Sequence, residues 1–163
     1  MLARQTCGQG GDQWHKTLVN RILRGYVACA PMSDLPEEWV FLESAWRFAL
    51  LLTGCHEGAS KIFKDSVDEL LRHPHPGDLE RTRQLLFMIV RRRGLKYPAR
   101  SELDGTPARL HGIAEPGRSA LALLYLGIFP ADDIQRVLNI NERLLAEAID
   151  AARSGLREER PAP

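Results

Sequence analysis

Residues 116 to 157, PGRSALALLYLGIFPADDIQRVLNINERLLAEAIDAARSGLR, carry the pattern of a helix-turn-helix, which restricts this part of the chain to short helices crossing at a steep angle. Ile134, Val137 and Leu138 form the inner face of one helix, and Asn139 stands at the turn, where a left-handed backbone is tolerated. Ile140 plugs the corner, and Asn141 caps the next helix. Leu144, Leu145 and Ile149 give that helix its inner stripe. The other faces are short of cations. Residues 131 to 150 hold five acids (Asp132, Asp133, Glu142, Glu147, Asp150) against two arginines, Arg136 and Arg143, a net charge of −3. Because phosphate contacts dominate DNA affinity, a helix with this balance is expected to be repelled by nucleic acid. An ordinary helical pair in a bundle fits the same pattern.

Nearly every other segment also shows helical spacing, and no stretch alternates with period two for long, so an all-α fold is expected. Residues 13 to 28, with Trp14, Leu18, Ile22 and Tyr26 four apart, make an amphipathic helix behind a glycine-rich start. Asp34 and Glu37 have capping-box spacing, with Pro36 in the first turn, and launch a helix through Trp39, Leu42, Trp46, Ala49 and Leu50 to Gly54. A helix over roughly 57 to 72 places Ile62, Phe63, Val67, Leu70 and Leu71 on one face and is broken by His73 to Gly77. Asp78 caps the next, through Leu79, Leu86, Ile89 and Val90, which ends near Gly94.

That last helix and its exit are as basic as the C-terminal helices are acidic. Residues 81 to 100 contain seven cations (Arg81, Arg83, Arg91, Arg92, Arg93, Lys96, Arg100) and no acid. Such a cluster is either a phosphate footprint, with Tyr97 available to stack on a base, or a solvated basic face that meets an acidic protein. Residues 98 to 115 turn to Pro, Gly, Ser and Asp with a short apolar insert at Leu110 to Ile113, the composition of a linker carrying a brief helical turn. At no more than ~3.6 Å per residue it spans at most roughly 60 Å. The expected organisation is an N-terminal extension with a helix (1–33), a first helical lobe (34–97), a linker (98–115), a helix-turn-helix lobe (116–158) and a tail (159–163). The opposite charges of the Arg91 to Arg100 region and the final helices offer an electrostatic way to hold the two lobes shut.

Composition excludes other classes. Apolar residues make up 44% of the 163, enough for a core, and the net charge of +1 hides the two opposite local excesses. Three widely spaced cysteines, Cys7, Cys29 and Cys55, argue against a disulfide framework and for a reducing compartment, so a cytoplasmic protein is expected. No apolar run approaches the roughly 20 residues of a membrane span, and no signal peptide opens the chain, so no membrane partner is expected. Cys55 and His56 are adjacent and lack a third orienting group. His73 and His75 lack further metal ligands at useful spacing, and Gly8, Gly10 and Gly11 lack the strand and lysine of a phosphate loop. Neither catalysis, a cofactor nor a metal is expected.

The segments FALLLTG (Phe48 to Gly54), DELLR, LLFMIVRRRGLKY and, after the linker, PGRSALALLYLGIFPADDIQRVLNIN together resemble the extracytoplasmic-function group of sigma-70-type sigma factors over about residues 38 to 157. The resemblance implies two small helical lobes, similar to sigma domains 2 and 4. In that family the first binds the RNA polymerase core and melts and reads the promoter element nearest the start site, and the second reads the farther element. It implies DNA contact by Arg91, Arg92, Arg93, Lys96, Tyr97, Arg100 and Arg143. The chain departs from the family after Thr53-Gly54, where acids that dock the polymerase clamp are replaced by HEGASKIFKDSV with Lys61 and Lys64. It departs again at His73 to Asp78, where no aromatic is offered, and in the second helix, where Leu144, Ala146, Glu147, Ala148 and Asp150 stand in place of polar and basic residues. The sigma-like half of the general-stress response regulators of alphaproteobacteria is similarly degenerate, and it acts as a decoy for an anti-sigma factor. That resemblance implies an anti-sigma protein as partner in place of the RNA polymerase core; for either partner the candidate contact residues are Lys61, Phe63, Lys64, Leu144 and Glu147. The receiver domain of those regulators is not expected in a chain of this length. The helix around Trp14 to Tyr26 is foreign to both groups; it can cover an apolar groove, mediate self-association or extend the core.

Overall fold

A glycine turn and a sulfur cap start the architecture. In the computed structural model, which describes residues 41–72, 78–98 and 103–158, helix α1 (Phe41–Thr53) ends at Gly54, whose φ of 74° is left-handed and open to a residue without a Cβ. Cys55 follows directly as N-cap of α2 (His56–Leu70), its Sγ accepting from the Gly58 amide at 3.3 Å. The buried Thr53 hydroxyl donates to Ala49 O at 2.9 Å, which ties the corner to α1. Asp78 caps α3 (Leu79–Gly94) through Oδ1, which accepts from the Glu80 amide at 2.9 Å. The three helices pack on one another around Leu42, Phe48, Leu52, Phe63, Leu86, Phe87 and Val90. At the end of α3 the backbone lies so close to α1 that a Cβ on Gly94 would stand 2.8 Å from Leu52 Cδ1. The expected inner face of α3 holds except at Leu79, which lies in the first turn and is exposed.

The segment after residue 102 forms α4 (Thr106–Leu110), α5 (Gly117–Leu126), α6 (Ala131–Leu138) and α7 (Glu142–Glu158). Left-handed caps end α5 at Gly127 (φ 66°) and α6 at Asn139 (φ 55°, ψ 48°). Asn141 Oδ1 then accepts from the Leu144 amide at 2.9 Å and starts α7. Ile134, Val137, Leu138, Leu145 and Ala152 are buried between these helices. The register of α7 corrects one expectation. Leu145, Ile149, Ala152 and Leu156 share the inner face at spacings of four, three and four, and Leu144, about 100° around the helix from Leu145, is 47% exposed. Helix α5 crosses α7 at Gly117, where a Cβ would meet Ala148 O at 2.9 Å.

Among the described residues there are seven helices and no strand, so the fold is all-α. No described helix is long and apolar enough to cross a membrane. The two sets of helices are in contact: α1 packs on α5 and α3 on α6, and Pro36–Pro163 forms one compact unit. The linker at residues 98 to 115 therefore joins packed elements instead of holding them apart. An aromatic chain runs across the junction, with Phe48 and Phe87 centroids 5.5 Å apart and Phe87 meeting Phe129 edge-on at 4.9 Å. The amphipathic segment 13 to 28, the start signal at Asp34 to Glu37, the His73 to Gly77 break, Arg100 and the tail 159–163 lie outside the described residues.

Candidate functional site

The three consecutive arginines near the end of α3 point in different directions, because successive helical residues are rotated by about 100°. Arg91 faces the second set of helices, with its side chain 20% exposed. Its Nη2 lies 3.8 Å from Glu115 Oε2, its Nε donates to Ser119 Oγ at 3.4 Å, and its Nη1 donates to Leu138 O at 3.4 Å. That last contact places a cation on the carbonyl end of α6, where the helix dipole favours it. Glu115 is shared: it accepts from the Ser119 hydroxyl at 2.7 Å and from Arg118 Nε at 2.8 Å. Arg92 and Arg93 turn back onto α2. Both bind Glu69, Arg93 donating from Nε at 3.0 Å and from Nη2 at 2.8 Å, and Arg93 also stands 3.8 Å from Asp65. The hydrogen bond from Arg92, reinforced by Arg93, holds the Glu69 carboxyl below its ordinary range against the opposing effect of burial. Each member of the triplet therefore has a carboxylate partner inside the molecule.

The remaining basic candidates differ from one another. Lys96 is exposed, and it shares an open groove of about 500 Å³ with Glu57, Lys61, Ile62, Asp65, Arg93, Tyr97 and Pro98. The Tyr97 ring is packed on the first turn of α2, so close that a Cβ on Gly58 would stand 2.6 Å from its Cε1. Arg143 is 87% exposed and donates from Nε to Glu147 Oε1 at 2.8 Å, so a candidate for DNA and a candidate for a protein partner neutralise one another. Lys61 and Lys64 are exposed on α2, as an interaction surface requires. Phe63 is a correction: at 1% exposure it is a core residue, and its side chain offers nothing to a partner. Leu144 borders a shallow groove with Asp132, Gln135, Arg136, Asn139, Ile140 and Asn141. Lys61, Arg93, Lys96 and Tyr97 thus share one groove, while Arg143, Leu144 and Glu147 stand together on α7.

The residues that join the two sets of helices include several that sequence reasoning did not assign. Arg83 lies over the Phe129 ring, 4.8 Å from its centroid, and Gln84 Nε2 donates to Asp133 Oδ1 at 2.9 Å. Asp133 is buried and also accepts from Arg136 Nη1 at 2.5 Å. Asp133 entered the sequence reading only as one of five acids, and its i,i+3 spacing to Arg136 was the available signal. The expected electrostatic closure is therefore corrected in its composition: among these contacts Arg91 alone of the triplet crosses, and the rest of the junction is aromatic and polar. His111, after α4, is also partly enclosed; burial, and then the nearby Arg118 cation, push its pKa down. Comparison with known proteins finds no matching family model, no similar curated protein and no similar solved structure.

Proposed function

We propose that this chain is a sigma-factor-like transcription regulator that works in the cytoplasm through protein contacts, as a mimic that binds an anti-sigma protein without reading DNA. The carrying observation is the combination of a helix-turn-helix frame, with Asn139 at the turn and Asn141 as cap, and a second helix that over Glu142 to Asp150 carries a single cation, Arg143, held by Glu147. A phosphate-reading helix needs several unpaired cations. Here Arg143 is paired with Glu147, and Arg91, Arg92 and Arg93 are paired with Glu115 and Glu69. A second reading, a divergent sigma factor that engages the RNA polymerase core and promoter DNA, is favoured by the exposure of Lys61, Lys64 and Lys96 at the α2–α3 end.

A pull-down from the native host separates the two. The mimic captures a small helical anti-sigma protein, the divergent sigma factor captures polymerase subunits, and recovery of neither overturns both. Promoter DNA is a partner only under the second reading, with an affinity that falls steeply with salt.

A further inference from the structure

We propose that the groove between the first half of α2 and the exit of α3 is a docking site for an acidic peptide segment of a protein partner, with carboxylates held by Lys61 and Lys96 and an apolar side chain seated between them. The proposal rests on the protein-contact reading above and names the chemistry by which the partner is held.

Positions 57, 61 and 65 follow one another along one side of α2 at the spacing of successive turns. The chain leaving α3 forms the opposite wall in a fixed shape. The Leu95, Lys96 and Tyr97 amides donate to the carbonyls of Arg91, Arg93 and Gly94 at 3.0, 3.1 and 3.1 Å. The Tyr97 ring then rests on α2 at Gly58, where the absence of a Cβ admits it. Lys96 is therefore carried on a hydrogen-bonded turn that is anchored to α2 one residue later. Between the walls lies the open space of about 500 Å³, with the buried Ile62, Tyr97 and Pro98 as its apolar lining.

The cations of this groove are not equivalent. Arg93 is spent on Glu69 at 2.8 Å and stands 3.8 Å from Asp65. Lys61 and Lys96 are exposed, and neither has an ion-pair partner among the described residues. An apolar lining with open cations at its rim has the make-up of a protein interface, and a concave wall of low dielectric focuses the field of those cations. The acids decide between two kinds of anionic partner. Glu57 and Asp65 line the same groove, so a phosphate chain, charged at every residue, meets repulsion together with attraction. A peptide can set one carboxylate at each lysine and neutral residues beside Glu57 and Asp65. Charge complementarity thus favours a peptide with spaced acids around an apolar residue over nucleic acid.

The test titrates the isotopically labelled full chain with an end-capped peptide in which two glutamates flank a leucine among glycines and serines. The same peptide with lysines for glutamates, and oligothymidylate, are titrated separately. The acidic peptide is expected to shift the amide resonances of Lys61, Lys96 and Tyr97 with an affinity that falls as salt is raised, and the lysine peptide is expected not to bind. Lys61→Glu combined with Lys96→Glu is expected to weaken binding about 10-fold. Arg153→Glu combined with Arg157→Glu, an equal change of charge at exposed positions of α7, is expected to leave it unaltered. An equal loss in both variants makes the binding an effect of net charge and overturns the proposal. Tighter binding of oligothymidylate at the same resonances assigns the groove to nucleic acid and overturns it as well. If the acidic peptide fails to bind while an anti-sigma protein is captured from the host, the groove falls and the mimic reading stands; if the peptide binds and no such protein is captured, the reverse holds.

Discussion

The helices α1 to α3 and the helices α5 to α7 solve the same packing problem with different side chains. The first set is built on large ones: Phe48, Phe63 and Phe87 are among its most deeply buried residues. The second buries Ala120, Ala122, Leu123, Ile134, Val137, Leu138, Leu145 and Ala152, and brings α5 against α7 by having no Cβ at Gly117. Its buried aromatic, Phe129, lies against Phe87 of the first set. A set packed on small residues gains less from burial per position, so the helix-turn-helix draws part of its stability from α3. The first set is therefore expected to hold without the second, and the second to lean on the first.

The largest test of that asymmetry is Phe87→Ala, which removes a ring contacting both Phe48 and Phe129. It is expected to cost about 4 kcal/mol and to loosen both sets together, seen as one lowered urea midpoint by far-UV circular dichroism and by tryptophan fluorescence. Next comes Gly117→Val, whose Cβ would stand 2.9 Å from Ala148 O. A cost of about 3 kcal/mol is expected from the overpacking, with amide exchange accelerated in α7 and unchanged in α2; acceleration in α2 would break the claim that the first set stands alone.

Smaller effects sharpen the contrast within the arginine triplet. Arg91→Ala removes the cation shared by Glu115, Ser119 and Leu138 O, and a loss of about 2 kcal/mol is expected. Arg92→Ala leaves Arg93 on Glu69, and its expected cost is under about 1 kcal/mol. Equal midpoints for the two variants would contradict the assignment of Arg91 to the junction.

The smallest effect is in pH. His111 has a folded pKa below its ordinary 6.5, so the unfolded chain takes up its proton first and stability falls as pH drops below 6.5 toward the folded value. Glu69, held below its ordinary 4.5, adds stability that is fully present above 4.5 and is lost as pH falls through its folded pKa. Denaturant midpoints measured from neutral to acid pH are expected to fall in those two windows, with His111→Asn flattening the upper one and Glu69→Gln the lower.

Much of the local structure was legible in the sequence because it depends on neighbours in the chain. The Asp78 cap, the stop at Gly54, the left-handed Asn139 and the Asn141 cap each follow from the preference of one residue type for one backbone state. The errors arose where tertiary packing decides. Leu144 and Leu145 are equivalent in composition, and only the position of α5 makes one inner and the other exposed. Phe63 reads equally well as an anchor for a partner or as core. The arginine triplet reads as a single basic patch when charges are counted along the chain, whereas helical rotation sends Arg91 to one set of contacts and Arg92 and Arg93 to another. Partners such as Glu69 and Glu115 are 23 or 24 residues away in sequence and become visible only in the fold.

The central claim is that Arg91, Arg92, Arg93 and Arg143 are occupied within the molecule, so that the first turns of α7 are not expected to hold nucleic acid. Its most direct test is the affinity of the full chain for mixed-sequence duplex DNA as a function of salt. Weak binding with a shallow salt dependence, unchanged by Arg143→Ala, is the expected result. Tight binding at physiological ionic strength, with a logarithmic salt slope equivalent to several phosphates and a marked loss on Arg143→Ala, would contradict it.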